Sequence, residues 1–247
     1  MCQGGPLPRL LPGEIRVSSH TLYDKTRDFN KDVFRNIVSL RESVDLFDEL
    51  TEGNERFSQI AVRAEMRVKE GIPAGMIQRG FHYTTAISYP FEVEPFLVSR
   101  YGNGSFGVWY GSLDLETTIH ETIYHMMKEE LRIEGLNERI VRERAIYLVH
   151  VRAILINLAG KEKRFPDLIS NDYSLTQQIA ERLHKEGHPG LLAPSARYPG
   201  TNLAAFTPEI LNNPRHSCFL TYSFDPRSLT VEVERRSGEV ILRHQFS

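Results

Sequence analysis

Cysteine is scarce in this 247-residue sequence, which has only Cys2 and Cys218. Neither belongs to a CxxC pair or a disulfide framework, so a reducing compartment fits best. Net charge is also small, −2 from 30 basic and 32 acidic residues. That leaves no overall electrostatic footprint for nucleic acid or an anionic membrane. No apolar run approaches the ~18 residues of a membrane span. The opening MCQGGPLPRLLPG lacks the long apolar stretch of a secretory signal and reads as a Gly/Pro-rich tail. These absences predict a soluble, cytoplasmic protein. There is no GxGxxG, P-loop, GxSxG elbow or EF-hand loop either, so the common nucleotide, hydrolase and calcium signatures do not apply.

What is present is ordinary globular composition, 40% hydrophobic and 25% charged. It suits one large domain, or one domain with an extension. Residues 1–75 read as a tail followed by a helical extension. From Lys25 to Lys69, Phe29, Val33, Ile37, Leu40, Val44 and Phe47 recur at helical spacing. Asn54 can cap a second helix, and residues 70–75 read as a linker. Residues 76–247 read as a mixed α+β domain. Short strands are expected at Gly80–Thr85, Phe106–Gly111, Ala145–Leu158, Gly190–Ala193, Leu203–Phe206, Cys218–Phe224 and Leu229–Val233. Asp114 caps a helix with the apolar stripe Leu115, Ile119, Ile123 and Met126. Ser174-Leu-Thr-Gln177 forms a capping box for another helix, which Gly187 closes.

Several residues have chemistry to offer. Glu121 sits in His120-Glu-Thr-Ile-Tyr-His125, which superficially matches the zinc motif HExxH. A zinc site needs its histidines at i and i+4. Here they are five apart, about 140° around a helix, so no metal is expected. Arg79 and Arg100 have the planar fork that suits phosphate. Tyr110 can stack on a flat ring or fill the core. Ser195 follows a short apolar strand, in a loop that can present a hydroxyl and backbone N–H groups to a ligand. Taken singly, each also has an ordinary structural role.

Their order carries more. Arg79, Arg100-Tyr-Gly, Gly107-Val-Trp-Tyr-Gly-Ser112, Glu116-Thr-Thr-Ile-His-Glu-Thr122, Pro194-Ser-Ala196 and Gly200-Thr-Asn-Leu203 together resemble the RES domain, a family named for its arginine, glutamate and serine. The resemblance runs from about Gln78 to Val233. It implies an ADP-ribosyltransferase-like mixed β core with flanking helices. It also implies a bacterial toxin that degrades NAD+ by hydrolysis or phosphorolysis of the nicotinamide–ribose bond. The implied partner is an Xre-type antitoxin, and NAD+ is substrate, with no cofactor. By position, the implied catalytic set is Glu121 as the carboxylate, Arg79, and Ser195 as a second polar contact to the nicotinamide side. Arg100 and Arg79 would hold the phosphates and ribose, and Tyr110 would line the nicotinamide pocket. Where the family's first arginine is often followed by an aromatic residue, this chain has Gly80, and Tyr83 takes that role. The helical extension is longer than compact members need, which is compatible with self-association into a homo-oligomer.

The residue kit suits the reaction. Nicotinamide departs neutral from its cationic form, so the difficulty is positive charge growing on the ribose, which one carboxylate can meet. Two alternatives remain at this level: ADP-ribosyl transfer to a macromolecule, and a catalytically silent interaction module.

Overall fold

The computed structural model describes residues 19–38, 84–92, 94–133 and 135–246. A short helix α1 (Ser19–Leu22) leads into strand β1 (Thr26–Val38). β1 runs antiparallel along β5 (Ile140–Asn157), from Thr26 opposite Ile156 to Val38 opposite Arg144. This corrects the expected helix over residues 25–38: the helical extension begins instead as a strand of the main sheet. The reason is periodicity. Phe29, Val33 and Ile37 recur every four residues, a spacing that keeps side chains on one face of a strand as well as of a helix. The long β5 ladder then decides between the two. Leu40, Val44, Phe47, the helix from Asn54, the 70–75 linker and the 75/76 boundary lie outside the described residues.

A π-helical turn, Thr84–Ser88, precedes α2 (Tyr89–Glu92). Thr84 and Thr85 therefore do not belong to the strand expected there, and Gly80–Tyr83 lie outside the described residues. Trp109 Nε1 donates to Ala86 O at 2.7 Å and ties this turn to the sheet. Then come a small hairpin of β2 (Val98–Ser99) and β3 (Gly102–Asn103), β4 (Trp109–Ser112) and α3 (Leu115–Glu130). After β5 follow α4 (Ser174–Lys185), β6 (Gly190–Pro194) and β7 (Thr201–Ala205). The last strands are β8 (Leu211–Asp225), β9 (Thr230–Arg236) and β10 (Glu239–Gln245).

The architecture is mixed α+β. The main sheet has eight strands in the order β1-β4-β7-β6-β5-β8-β9-β10. Because β1 also pairs with β5, the strands β1, β4, β7, β6 and β5 close into a ring. One core cluster draws from all five: Phe29, Val33, Trp109, Val149, Leu155, Leu192 and Leu203. Arg35 joins β1 to β4, donating Nη1 to Tyr110 O at 2.8 Å and lying 5.3 Å above the Trp109 ring. Helix α3 buries Ile119, Ile123 and Met126 against Ile146, Leu220 and Val231, along the stripe legible in the sequence. Helix α4 buries Leu175, Ile179 and Leu183 against Leu191, Ala204 and Phe206. No helix among the described residues is long and apolar enough to cross a membrane.

Two helix starts differ. Asp114 caps α3 as expected, its Oδ1 accepting from Thr117 N at 2.7 Å and Thr117 Oγ1 at 2.6 Å. The capping box at Ser174–Gln177 does not form. Ser174 is the first helical residue, and its N and Oγ donate to Asp172 Oδ1 at 2.9 and 2.6 Å. Those bonds hold the Asp172 carboxyl below its usual range. Gln177 is thereby free to donate to Ser99 O at 2.9 Å and Gly102 O at 3.3 Å, clamping the β2–β3 hairpin onto α4. Gly187 closes α4 at φ +79°, a conformation that favours glycine.

The loop between β6 and β7 touches the first turn of α3 at Gly200. A Cβ on Gly200 would stand 1.8 Å from Thr117 Oγ1 and 3.0 Å from Thr117 Cβ. Since Thr117 is fully buried and bonded to Asp114, it has little freedom to yield. Gly200→Ala should therefore destabilise the fold by about 1–3 kcal/mol, the usual cost of overpacking, as measured by urea denaturation.

Candidate active site

Glu121 lies on α3, Ser195 follows the end of β6, and Asn202 lies on β7. The β6–β7 hairpin is tight: Ser195 N donates to Gly200 O at 2.9 Å, and Gly200 N to Tyr198 O at 2.7 Å. Its packing on Thr117 delivers two donors to one carboxylate oxygen. Glu121 Oε1 accepts from Ser195 Oγ at 2.7 Å and from Asn202 Nδ2 at 2.8 Å. Asn202 Oδ1 in turn accepts from the buried Ser112 Oγ at 2.7 Å. The Ser195 oxygen accepts from Arg197 N at 3.1 Å and Tyr198 N at 3.3 Å.

This pattern assigns protons. The Ser195 hydroxyl points its hydrogen at Glu121 while two backbone N–H groups occupy its lone pairs. The serine thus orients and stabilises the carboxylate. Among the described residues, Glu121 Oε2 accepts no hydrogen bond. The result is a positioned carboxylate with Oε1 anchored by two donors.

The surroundings steady this arrangement. His120 stacks on Tyr198, with ring centroids 4.6 Å apart and planes 9° from parallel. His125 is exposed. Burial holds His120 below its ordinary value, and His244 lowers it further. Arg197 Cζ lies 3.3 Å from the Tyr124 ring centroid, and its Nη2 donates to Asn171 Oδ1 at 2.5 Å.

Arg100 and Tyr110 form a second group around the β2–β3 turn. Arg100 Nη1 donates to Leu168 O at 3.2 Å and Ser170 O at 2.6 Å, and the guanidinium lies 4.7 Å above the Tyr173 ring. The Tyr110 hydroxyl accepts from Tyr101 N at 2.8 Å and shares a 2.8 Å hydrogen bond with Ser99 Oγ. Burial pushes the Tyr110 phenol up to about 12, with Ser99 and Tyr101 opposing. Tyr101 is buried, and its hydroxyl has no hydrogen-bond partner among the described residues. Burial raises its phenol, Arg100 opposes, and Tyr110 and Glu121 add to the rise. Tyr101 thus lies within the electrostatic reach of both groups.

The structure therefore joins Glu121 to Ser195 directly, and Arg100 to Tyr110 through Tyr101. Arg79 and Tyr83 lie outside the described residues. Asn202, Ser112, Tyr101 and Arg197 have no role assigned from sequence. Asn202 stands inside a quoted motif, but its partners Ser112 and Glu121 are 90 and 81 residues away. Only the β4–β7 pairing brings them together.

The RES domain family model matches residues 71–225. The match covers most of the chain, which belongs to the RES domain family. It includes Arg79, Arg100, Tyr110, Glu121, Ser195 and Asn202. Among solved structures, the chain is similar to the MbcT–MbcA toxin–antitoxin complex of M. tuberculosis. That similarity is distant: 12% identity, a TM-score of 0.44, and coverage of 78% of this chain and 86% of that one. No curated protein sequence matches the chain significantly.

Tyr110→Phe isolates one joint of the second group. It removes the acceptor for the Tyr101 N–H and the partner of Ser99. Leaving a buried donor unsatisfied should cost about 1–3 kcal/mol. Thermal denaturation would measure the loss, and faster amide hydrogen exchange at Tyr101 would locate it.

Proposed function

We propose that this RES-domain protein cleaves the nicotinamide–ribose bond of NAD+. The observation that carries the proposal is the Glu121 carboxylate, with Oε1 anchored by Ser195 and Asn202 and Oε2 left for a ligand. A fixed anion of this kind suits a reaction in which positive charge develops on a sugar. Preorganised charge acts without reorientation at the moment of reaction.

Glu121 is the catalytic carboxylate in this reading. Its Oε2 would accept a ribose hydroxyl and face the charge that grows as the C–N bond breaks. The bonding electrons leave with the nicotinamide nitrogen, which departs neutral. The ribosyl group passes to water, giving ADP-ribose and a proton, or to phosphate, giving the ribosyl phosphate. Arg100 and Arg79 supply positive charge for the pyrophosphate, and Tyr83 an aromatic surface. Ser195 acts through Glu121, since its hydroxyl proton is directed there. Tyr110 supports the turn that carries Arg100 and would line the nicotinamide pocket. NAD+ is the substrate, and no metal or further cofactor takes part.

Such a chain would deplete cellular NAD+ and act as a toxin, with an Xre-type antitoxin as its restraining partner. Family membership supports this biological reading.

Purified protein incubated with NAD+ should release free nicotinamide. Glu121→Gln should slow release by roughly 10²–10³-fold, the scale for losing one electrostatic stabiliser. Equal release by both proteins would contradict the proposal. Parallel reactions with and without phosphate identify the acceptor from the ribosyl product.

A further inference from the structure

We infer that Asn202 is a positioning residue that keeps the Glu121 carboxylate aimed, through the chain Ser112–Asn202–Glu121. The inference rests on the reading of Glu121 as the working carboxylate. Asn202 pairs with Ser112 on β4 and with Ala193 on β6, so its backbone is held from both sides in the sheet. Ser112 Oγ donates to Oδ1 at 2.7 Å, which turns the amide so that Nδ2 faces Glu121 at 2.8 Å. An asparagine suits this task because its amide donates without titrating.

Ser195 reaches the same oxygen from a loop, whereas Asn202 reaches it from a central strand. The two donors converge on Oε1, so rotation of the carboxylate would break both bonds together. That convergence leaves Oε2 presented in one orientation. The other charged and titratable groups about Glu121 are His125 on its own helix, Arg197 from the β6–β7 loop and Tyr101 from the β2–β3 turn. None of them donates a hydrogen bond to the carboxylate among the described residues.

Asn202→Asp is the informative variant. It exchanges a donor for a second carboxylate beside the first, and two such groups titrate as a pair with one value raised. The acidic limb of the pH profile of kcat for nicotinamide release should move up by about one unit or more. Activity should recover as pH rises. Asn202→Ala should lower kcat about tenfold with little change in KM, the scale of one hydrogen bond to a charged group. A merely structural role would lower activity at all pH values and leave the limb in place. That outcome would overturn the inference.

A crystal structure of Asn202→Ala without NAD+ reads the aim of Glu121 directly. The carboxylate should leave the orientation it holds in the wild type. An unchanged orientation would overturn the inference even if the aspartate variant fails to fold. Should wild-type protein release no nicotinamide, the proposed reaction fails, and the carboxylate orientation still decides the role of Asn202.

Discussion

Gly200 meets Thr117 with no room for a methyl group between them, and the geometry of the site depends on that contact. Thr117 belongs to the first turn of α3 and is bonded to the Asp114 cap. Gly200 belongs to the hairpin that carries Ser195 at one end and leads to Asn202 at the other. Close approach of the Gly200 backbone to the Thr117 side chain brings both donors onto Glu121 Oε1. A bulkier residue would separate helix from hairpin and leave the carboxylate unanchored. The cap therefore has two consequences: it begins the helix, and it sets the height at which Glu121 meets the sheet.

The closed ring of strands provides the rigid base. β5 is long enough to pair with β1 along one edge and with β8 and then β6 along the other. That double use places β7 between β6 and β4, and so Asn202 beside Ser112. Across the same strands, Tyr110 supports the turn bearing Arg100 and Tyr101, which Gln177 clamps from α4. Burial raises the phenols of Tyr101 and Tyr110, so both remain protonated donors or acceptors at neutral pH. The Tyr101 hydroxyl is one of the buried polar groups without a hydrogen-bond partner among the described residues.

Local signals in the sequence were reliable where the structure is local. The α3 stripe and its Asp114 cap, the Gly187 stop and most strands from β4 onward have their cause within a few residues. β1 was misread because a four-residue spacing satisfies both helix and strand, and only pairing with a segment more than a hundred residues away separates them. The capping box failed because the Ser174 N and Oγ donate to Asp172 just upstream, while Gln177 N donates to Tyr173 O. At the site, Glu121 and Ser195 were legible as members of an ordered set. Asn202 and Ser112 were not, since their roles arise from strand register alone. The placement of Arg79 and Tyr83 lies outside the described residues.

The central claim is that the free oxygen of Glu121 meets the ribose next to nicotinamide. The most direct measurement is a crystal structure of the Glu121→Gln protein with intact NAD+ trapped in it. The ribose hydroxyls should lie within hydrogen-bond distance of the side chain at position 121, on the oxygen or nitrogen not held by Ser195 and Asn202. The pyrophosphate should lie toward Arg100. NAD+ bound with its nicotinamide ribose away from position 121 would contradict the account.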